Sequence, residues 1–232
     1  MSDDLLSGLG DFSGTARLFP LPNVVLFPDV VQPLHVFEPR YRALMADALA
    51  GDRLIAPALL KPGWEEDYHQ SPPIYPVVCV GRVMQEERLP DGRWNCLLHG
   101  LARARVEEEL PTGKPYRSAR VRLLADAPAA AAEEAARLRR ELGERTAAWL
   151  AAQGAALVQL RQLLDGAMAL GMLCDVFAYA LPIDVAVKQQ LLEDADVAAR
   201  ARRLIAHLET HAPPAPPKPP PGRKFPPEFS PN

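Results

Sequence analysis

The sequence predicts an α+β protein: a small closed or half-closed β-barrel, interrupted by one helix and followed by a bundle of helices. Three observations carry this. Up to residue 126, short runs of Val, Ile and Leu alternate with charged residues and are punctuated by Gly and Pro, as in strands and their turns. Beyond it, "APAAAAEEAARLRRELGERTAAWLAAQGAALVQLRQLL" is rich in alanine and other strong helix formers. The character changes again near residue 212, and ten of the last twenty residues, Pro213 to Asn232, are proline. The boundaries that follow are a flexible leader over 1–15, a β-rich part over 16–126, a helical part over 127–211 and a proline-rich tail over 212–232.

The elements can be taken in order. "LFPLPNVVLFPDVVQPLHVFEPRY" sets strand-forming runs, Val24–Phe27, Val30–Val31 and Leu34–Phe37, among prolines at 20, 22, 28, 33 and 39. Proline donates no backbone hydrogen bond, so these should mark strand ends, bulges and barrel corners. "EPRYRALMADALAGD" is the interrupting helix. Pro39 suits its first position, Tyr41, Leu44, Met45 and Ala48 share a face, and Gly51 is the residue just past its end. Glu38 and Arg42 stand at i, i+4, a surface pair worth about 0.3–0.5 kcal/mol. "RLIAPALL" (53–60) is a strand. "PVVCVGRVMQEERLPDGRWNCLLHGLARARV" is a long hairpin turning at Pro90-Asp91-Gly92. "YRSARVRLLAD" (116–126) is the last strand.

Helices are expected over 129–152, 155–165 and 166–180, then after Pro182 with Asp184 as N-cap, and finally in "DADVAARARRLIAHLETH". In that last helix Val197, Ala201, Leu204 and Leu208 make the apolar face, and Arg200, Arg202, Arg203 and His207 are expected on a solvated one. The tail should be extended polyproline II or disordered.

Composition narrows the function classes. Hydrophobic residues make up 48% and charged residues 24%, a globular balance, and the net charge is −3. A nucleic-acid binder usually carries a basic surplus, so nucleic acid is disfavoured as a partner. No apolar run approaches the ~18 residues that span a bilayer. The acidic start "MSDDLLSGLGDF" lacks the basic region of a signal peptide, which points to the cytoplasm. Cys79, Cys96 and Cys174 are widely separated and read as small buried apolar residues.

"LFPLPNVVLFPDVVQPLHVFEPRYRALMADALAGDRLIAPALL", the hairpin and "YALPIDVAVKQQLLEDADVAARARRLIAHLE" together resemble the Lon protease N-terminal, or substrate-binding, domain. The resemblance covers roughly Ala16 to Glu209. It implies a PUA-like pseudo-barrel followed by a helical bundle, and a module that binds unfolded or tagged polypeptide, with a protease or chaperone acting in trans. Asp29 stands where the family often has Gly; aspartate also tolerates a left-handed turn, so the turn should survive. There is no Gly-x-x-x-x-Gly-Lys-[Ser/Thr] phosphate loop, and the chain leaves no length for a protease domain, so neither ATPase nor peptidase activity is expected. PUA-like barrels elsewhere bind RNA, which makes an RNA-binding module the alternative.

No nucleophile–base pair stands out, and no cofactor or metal is implied. His207 and His211 offer at most half a metal site at a helix end. The loop "KPGWEEDYHQSPPIYP" sets Trp64, Tyr68 and Tyr75 among acidic residues and prolines. Those aromatics either recognise polypeptide or fold back as a lid. With His35 and Phe37 they form the candidate binding set. Leu26, Phe27, Leu34 and Phe37 are also expected to line the barrel or its junction with the helices; an exposed Phe37 would belong to the binding surface instead.

Overall fold

The computed structural model describes residues 9–10, 12–66, 70–129, 131–150, 163–164, 166 and 168–211. The order is β1 (Thr15–Leu21), β2 (Val31–Val36), α1 (Pro39–Leu49), β3 (Leu54–Leu59), β4 (Val77–Arg88), β5 (Trp94–Leu110), β6 (Ser118–Leu124), α2 (Ala132–Trp149), α3 (Leu170–Ala180), α4 (Val185–Glu193) and α5 (Val197–Thr210). The sheet runs β2-β5-β4-β3-β1-β6, and β6 also pairs with β5, so five strands close on themselves and β2 lies outside the ring. Only β1–β3 is parallel. Of the expected Ala155–Asp165 helix only residues 163 and 164 are described, both helical, and the proline-rich tail lies outside the described residues.

Small residues fill the closed ring. Leu18, Ala56, Ala58, Val78, Val80, Ala102, Ala104, Ala119 and Val121 form one buried cluster. Five strands make a narrow tube, and alanines on four of them, Ala16 on β1 included, suit its bore. A second cluster extends from Phe27, Leu44, Met45, Val83 and Leu98 to Leu138, Leu173, Phe177, Leu191 and Leu204, joining α1 and the sheet to the later helices.

β5 serves both parts of the sheet. Its first half pairs with β2, its second half with β6, and β4 pairs with it from Trp94 to Arg105. At the crossing, Gly81 faces Gly100. A Cβ at Gly100 would stand 2.0 Å from the Phe27 carbonyl oxygen, and one at Gly81 2.8 Å from Leu26. Val24–Phe27 therefore forms no strand. It crosses this glycine pair as buried loop, with Leu26 at 1% and Phe27 at 0% exposure. Next comes a bulge. Asp29 N donates to Gly100 O and Gly100 N to Val30 O, both at 2.9 Å, and Asp29 takes the left-handed φ of 61° expected of it.

The prolines fit positions that need no donor. Leu18 N bonds Arg117 O on the β6 side, so by alternation the Pro20 nitrogen points to the same side, beyond the Arg17 end of the β1–β6 ladder. There the Tyr41 hydroxyl donates to Pro20 O at 3.1 Å. Pro33 lies on the edge strand β2.

Gly51 follows the C-cap of α1 as expected, and the left-handed residue beyond it is Arg53 (φ 63°). Its N–H reaches Ala48 O and its Nε reaches Val83 O, both at 2.9 Å, and its guanidinium pairs with Glu86; together they hold a conformation costly outside glycine. Glu38 pairs with Arg40 at 3.0 Å, whereas Arg42, its expected partner, lies against Gly92 of the hairpin turn. Phe37 is 59% exposed and lines no core, because it follows buried Val36 on the opposite side of the strand.

Arg200, expected in solvent, is fully buried beneath Asp126 and Asp175. Arg103 of β5 lies in the same cluster at 2% exposure. It alternates with Ala102 and Ala104, which face the bore, so it points outward beneath α3 and α4. Further ties across this junction are Gln189 Nε2 to Val77 O at 2.9 Å and Val197 N to Ala127 O at 3.0 Å.

Candidate polypeptide-binding face

β2, the first half of β5 and the end of β4 form a three-stranded arm with one face on the core. The register sets Val31 opposite His99, Pro33 opposite Leu97 and His35 opposite Asn95. Between them Gln32, Leu34 and Val36 face Leu98, Cys96 and Trp94, and Val36, Leu98 and Cys96 are buried. With a period of two, Val31, Pro33, His35 and then Phe37 look outward. A register shift in β4 between Val83 and Gln85 leaves Met84 as the extra residue of a bulge.

Val31 (47%), Phe37 (59%) and Met84 (59%) are the exposed large hydrophobic residues among those described, and all three flank this arm. The arm also carries an open depression of about 460 Å³ whose walls include Pro33, His35, Gln85, Glu87, Asn95 and Leu97. Its apolar parts are available to a partner's side chains.

A chain of polar contacts crosses the three strands. Arg93 can only donate, so His35 Nε2 accepts from it at 3.3 Å. His35 Nδ1 then carries the proton and donates to Asn95 Oδ1 at 2.7 Å, and Asn95 Nδ2 donates to Glu87 at 3.3 Å. The ring of Phe37 stacks on that of His35 at 6.1 Å between centroids. Below, burial pushes the Cys96 thiol up to about 11, so it is protonated at neutral pH and no nucleophile.

His35 and Phe37 are thus neighbours on this face. Trp64 and Tyr75 are half-buried. Tyr75 N bonds Leu59 O, and its ring packs on the main core; it precedes the start of β4, ten residues and up to ~30 Å of strand from Gln85. Tyr68 lies outside the described residues. Val31 and Met84 were not legible as members of this face: Val31 reads as an ordinary strand residue, and only the bulge exposes Met84. The buried ion cluster had one signal. Asp175 is the sole charged residue in the apolar helix "LGMLCDVFAYA", where a carboxylate requires a partner.

The model of the ATP-dependent protease La (LON) substrate-binding domain matches residues 15–210. The chain belongs to that family. It is 30% identical over 199 residues to Lon protease 2 of Herpetosiphon aurantiacus, covering 82% of this chain and 23% of that protein. It is 28% identical over 213 residues to Lon protease of Dictyoglomus thermophilum, covering 90% of this chain and 26% of that protein. It thus spans about a quarter of the length of these relatives. Among solved structures it is similar to the N-terminal domain of Mycobacterium avium complex Lon protease, with a TM-score of 0.68 at 22% identity, covering 85% of this chain and 99% of that one. It is also similar to a Lon N-terminal domain protein from Xanthomonas campestris, with a TM-score of 0.60 at 23% identity, covering 83% and 97%. The fold, a six-stranded sheet with α1–α5 among the described residues, is that of Lon N-terminal domains. None of the described helices is long and apolar enough to cross a membrane.

Proposed function

We propose that this chain is a non-catalytic module that captures unfolded or tagged polypeptide on the outer face of the β2–β5–β4 arm and presents it to a protease or chaperone in the cytoplasm. One observation carries the placement: Val31, Phe37 and Met84, the exposed large hydrophobics of the described residues, all lie on or beside the arm whose surface holds the depression lined by Pro33, His35 and Leu97. His35 belongs to the same face, and its contacts to Arg93 and Asn95 hold its ring against Phe37. Trp64, Tyr68 and Tyr75, on the segment that leads into β4, would supply a second contact. In this reading residues 16–126 form the PUA-like, substrate-facing part, residues 127–211 the helical bundle that braces it, and 1–15 and 212–232 flank them.

The test is capture of a reduced, alkylated and permanently unfolded protein by the wild-type chain and by Phe37→Asp. Wild-type should bind, and Phe37→Asp should lose about tenfold or more at unchanged fold, as befits an aromatic contact residue. Equal binding by both would remove the face from consideration. Tight binding to an RNA oligomer, weakening steeply with salt, would replace the polypeptide reading altogether.

A further inference from the structure

The outer face of the arm and the proline-rich segment that follows α5 are chemically complementary. Phe37, 59% exposed, stacks on His35, and Pro33 and Leu97 line the depression beside His35. Aromatic and apolar surfaces of this kind receive proline-rich segments, whose polyproline II backbone is preformed and loses little entropy on docking. The charge matches as well. Glu86 and Glu87 are the acidic residues lining the depression, and no Lys or Arg joins them among the described residues. Arg53 pairs with Glu86, whereas Glu87 meets the neutral amide of Asn95 at 3.3 Å. The segment "PPAPPKPPPGRKFPPEFSPN" carries Lys218, Arg223 and Lys224 against Glu228, and its aromatic residues, Phe225 and Phe229, flank a pair of prolines.

We propose that residues 213–232 dock on the outer face of the arm of their own chain, with Phe225 and Phe229 against Phe37, Pro33 and Leu97 and with Arg223 and Lys224 beside Glu87. This rests on the polypeptide-binding reading above and adds its regulation: the segment competes for the face and yields to a chain that exposes more apolar surface. The length suffices. At about 3.1 Å per residue, Phe225 and Phe229 reach roughly 43 and 56 Å from His211, the C-cap of α5. A compact domain of this size is about 45 Å across. His35 and Glu87 stand two strands apart, about 10 Å, a gap that the long side chain of Arg223 or Lys224 covers beside a seated Phe225.

The experiment compares the full chain with a full-length variant carrying Phe225→Asp and Phe229→Asp. The probe is a fluorescent, reduced and alkylated unfolded protein, and binding is read by anisotropy. A tethered segment at an effective concentration on the order of 1 mM, with an affinity of its own of ~0.1 mM, weakens the apparent Kd for the probe about tenfold. The variant should therefore bind the probe about tenfold more tightly than wild-type. Equal binding by both overturns the inference and leaves the polypeptide reading standing. A second arm needs no unfolded protein: a labelled peptide with the sequence of residues 213–232 is added to the variant. It should bind, and Phe37→Asp or Glu87→Lys added to the variant should each weaken it about fivefold or more. Failure of the peptide to bind, or binding that survives both substitutions, overturns the inference. Peptide binding lost on those substitutions, with no binding of the unfolded probe by either chain, removes the polypeptide reading and keeps the docking. A wild-type chain that sediments as a dimer, where the variant does not, assigns the segment to a second copy and overturns docking within one chain.

Discussion

Arg103 on β5 and Asp175 on α3 form a two-pronged ion pair, with Nη1–Oδ2 at 2.9 Å and Nη2–Oδ1 at 2.5 Å, and each side chain is 2% exposed. Arg200 of α5 and Asp126 after β6 complete the cluster, so two positive charges meet two negative ones. Burial pushes the Asp175 carboxyl above the usual carboxylate range, and Arg103 and then Arg200 pull it back. The cluster joins the last barrel strands to α3 and α5. Asp175→Asn should cost on the order of 3–5 kcal/mol, because it leaves two buried guanidiniums short of a counter-charge. Urea unfolding measures it, and a loss below about 1 kcal/mol would show the junction to be wet.

The thiols give a pH prediction. Burial raises Cys79 and Cys174 to about 12 and Cys96 to about 11, from 9.0. A folded value above the unfolded one means stability fully present below pH 9 and progressively lost as pH climbs through 9 toward 11 and 12. Melting temperature should therefore fall on alkaline titration. At pH 8 a thiol reagent should label none of the three in the native chain and all three in denaturant. Rapid native labelling of any one would contradict its burial.

Two phenylalanines ten residues apart should behave oppositely. Phe27→Ala should cost on the order of 3–5 kcal/mol, since its side chain is fully buried. Phe37→Ala should change stability by no more than about 0.5 kcal/mol, because its ring is on the surface. Thermal melts of the two variants side by side decide it, and a costly Phe37→Ala would put that ring back in the core.

The crossing on β5 tolerates no side chain. Gly100→Ala should shift the melting temperature by many degrees or prevent folding, because the new carbon would meet backbone rather than a flexible chain end. At Asp29 the demand is conformational. Asp29→Gly should be neutral or slightly stabilising, while Asp29→Val should cost about 1–2 kcal/mol, as a β-branched residue does in left-handed backbone. A neutral Asp29→Val would mean that the bulge can relax.

Much of this protein is determined by its sequence alone, because the signals are local. The Pro39 helix start, the Asp184 cap, the Pro90-Asp91-Gly92 turn and the left-handed Asp29 each depend on a few neighbouring residues. Three features were decided by tertiary structure. Val24–Phe27 has strand propensity, yet the paired glycines 81 and 100 make it loop. Arg200 sits in a run of arginines that looks solvated, yet Asp126 and Asp175, distant in sequence, draw it inside. Phe37 looks like core until the pairing of β2 with β5 assigns the faces. In each case the deciding partner lies on another element, and hydrophobic pattern along one segment carries no record of what the fold sets against it.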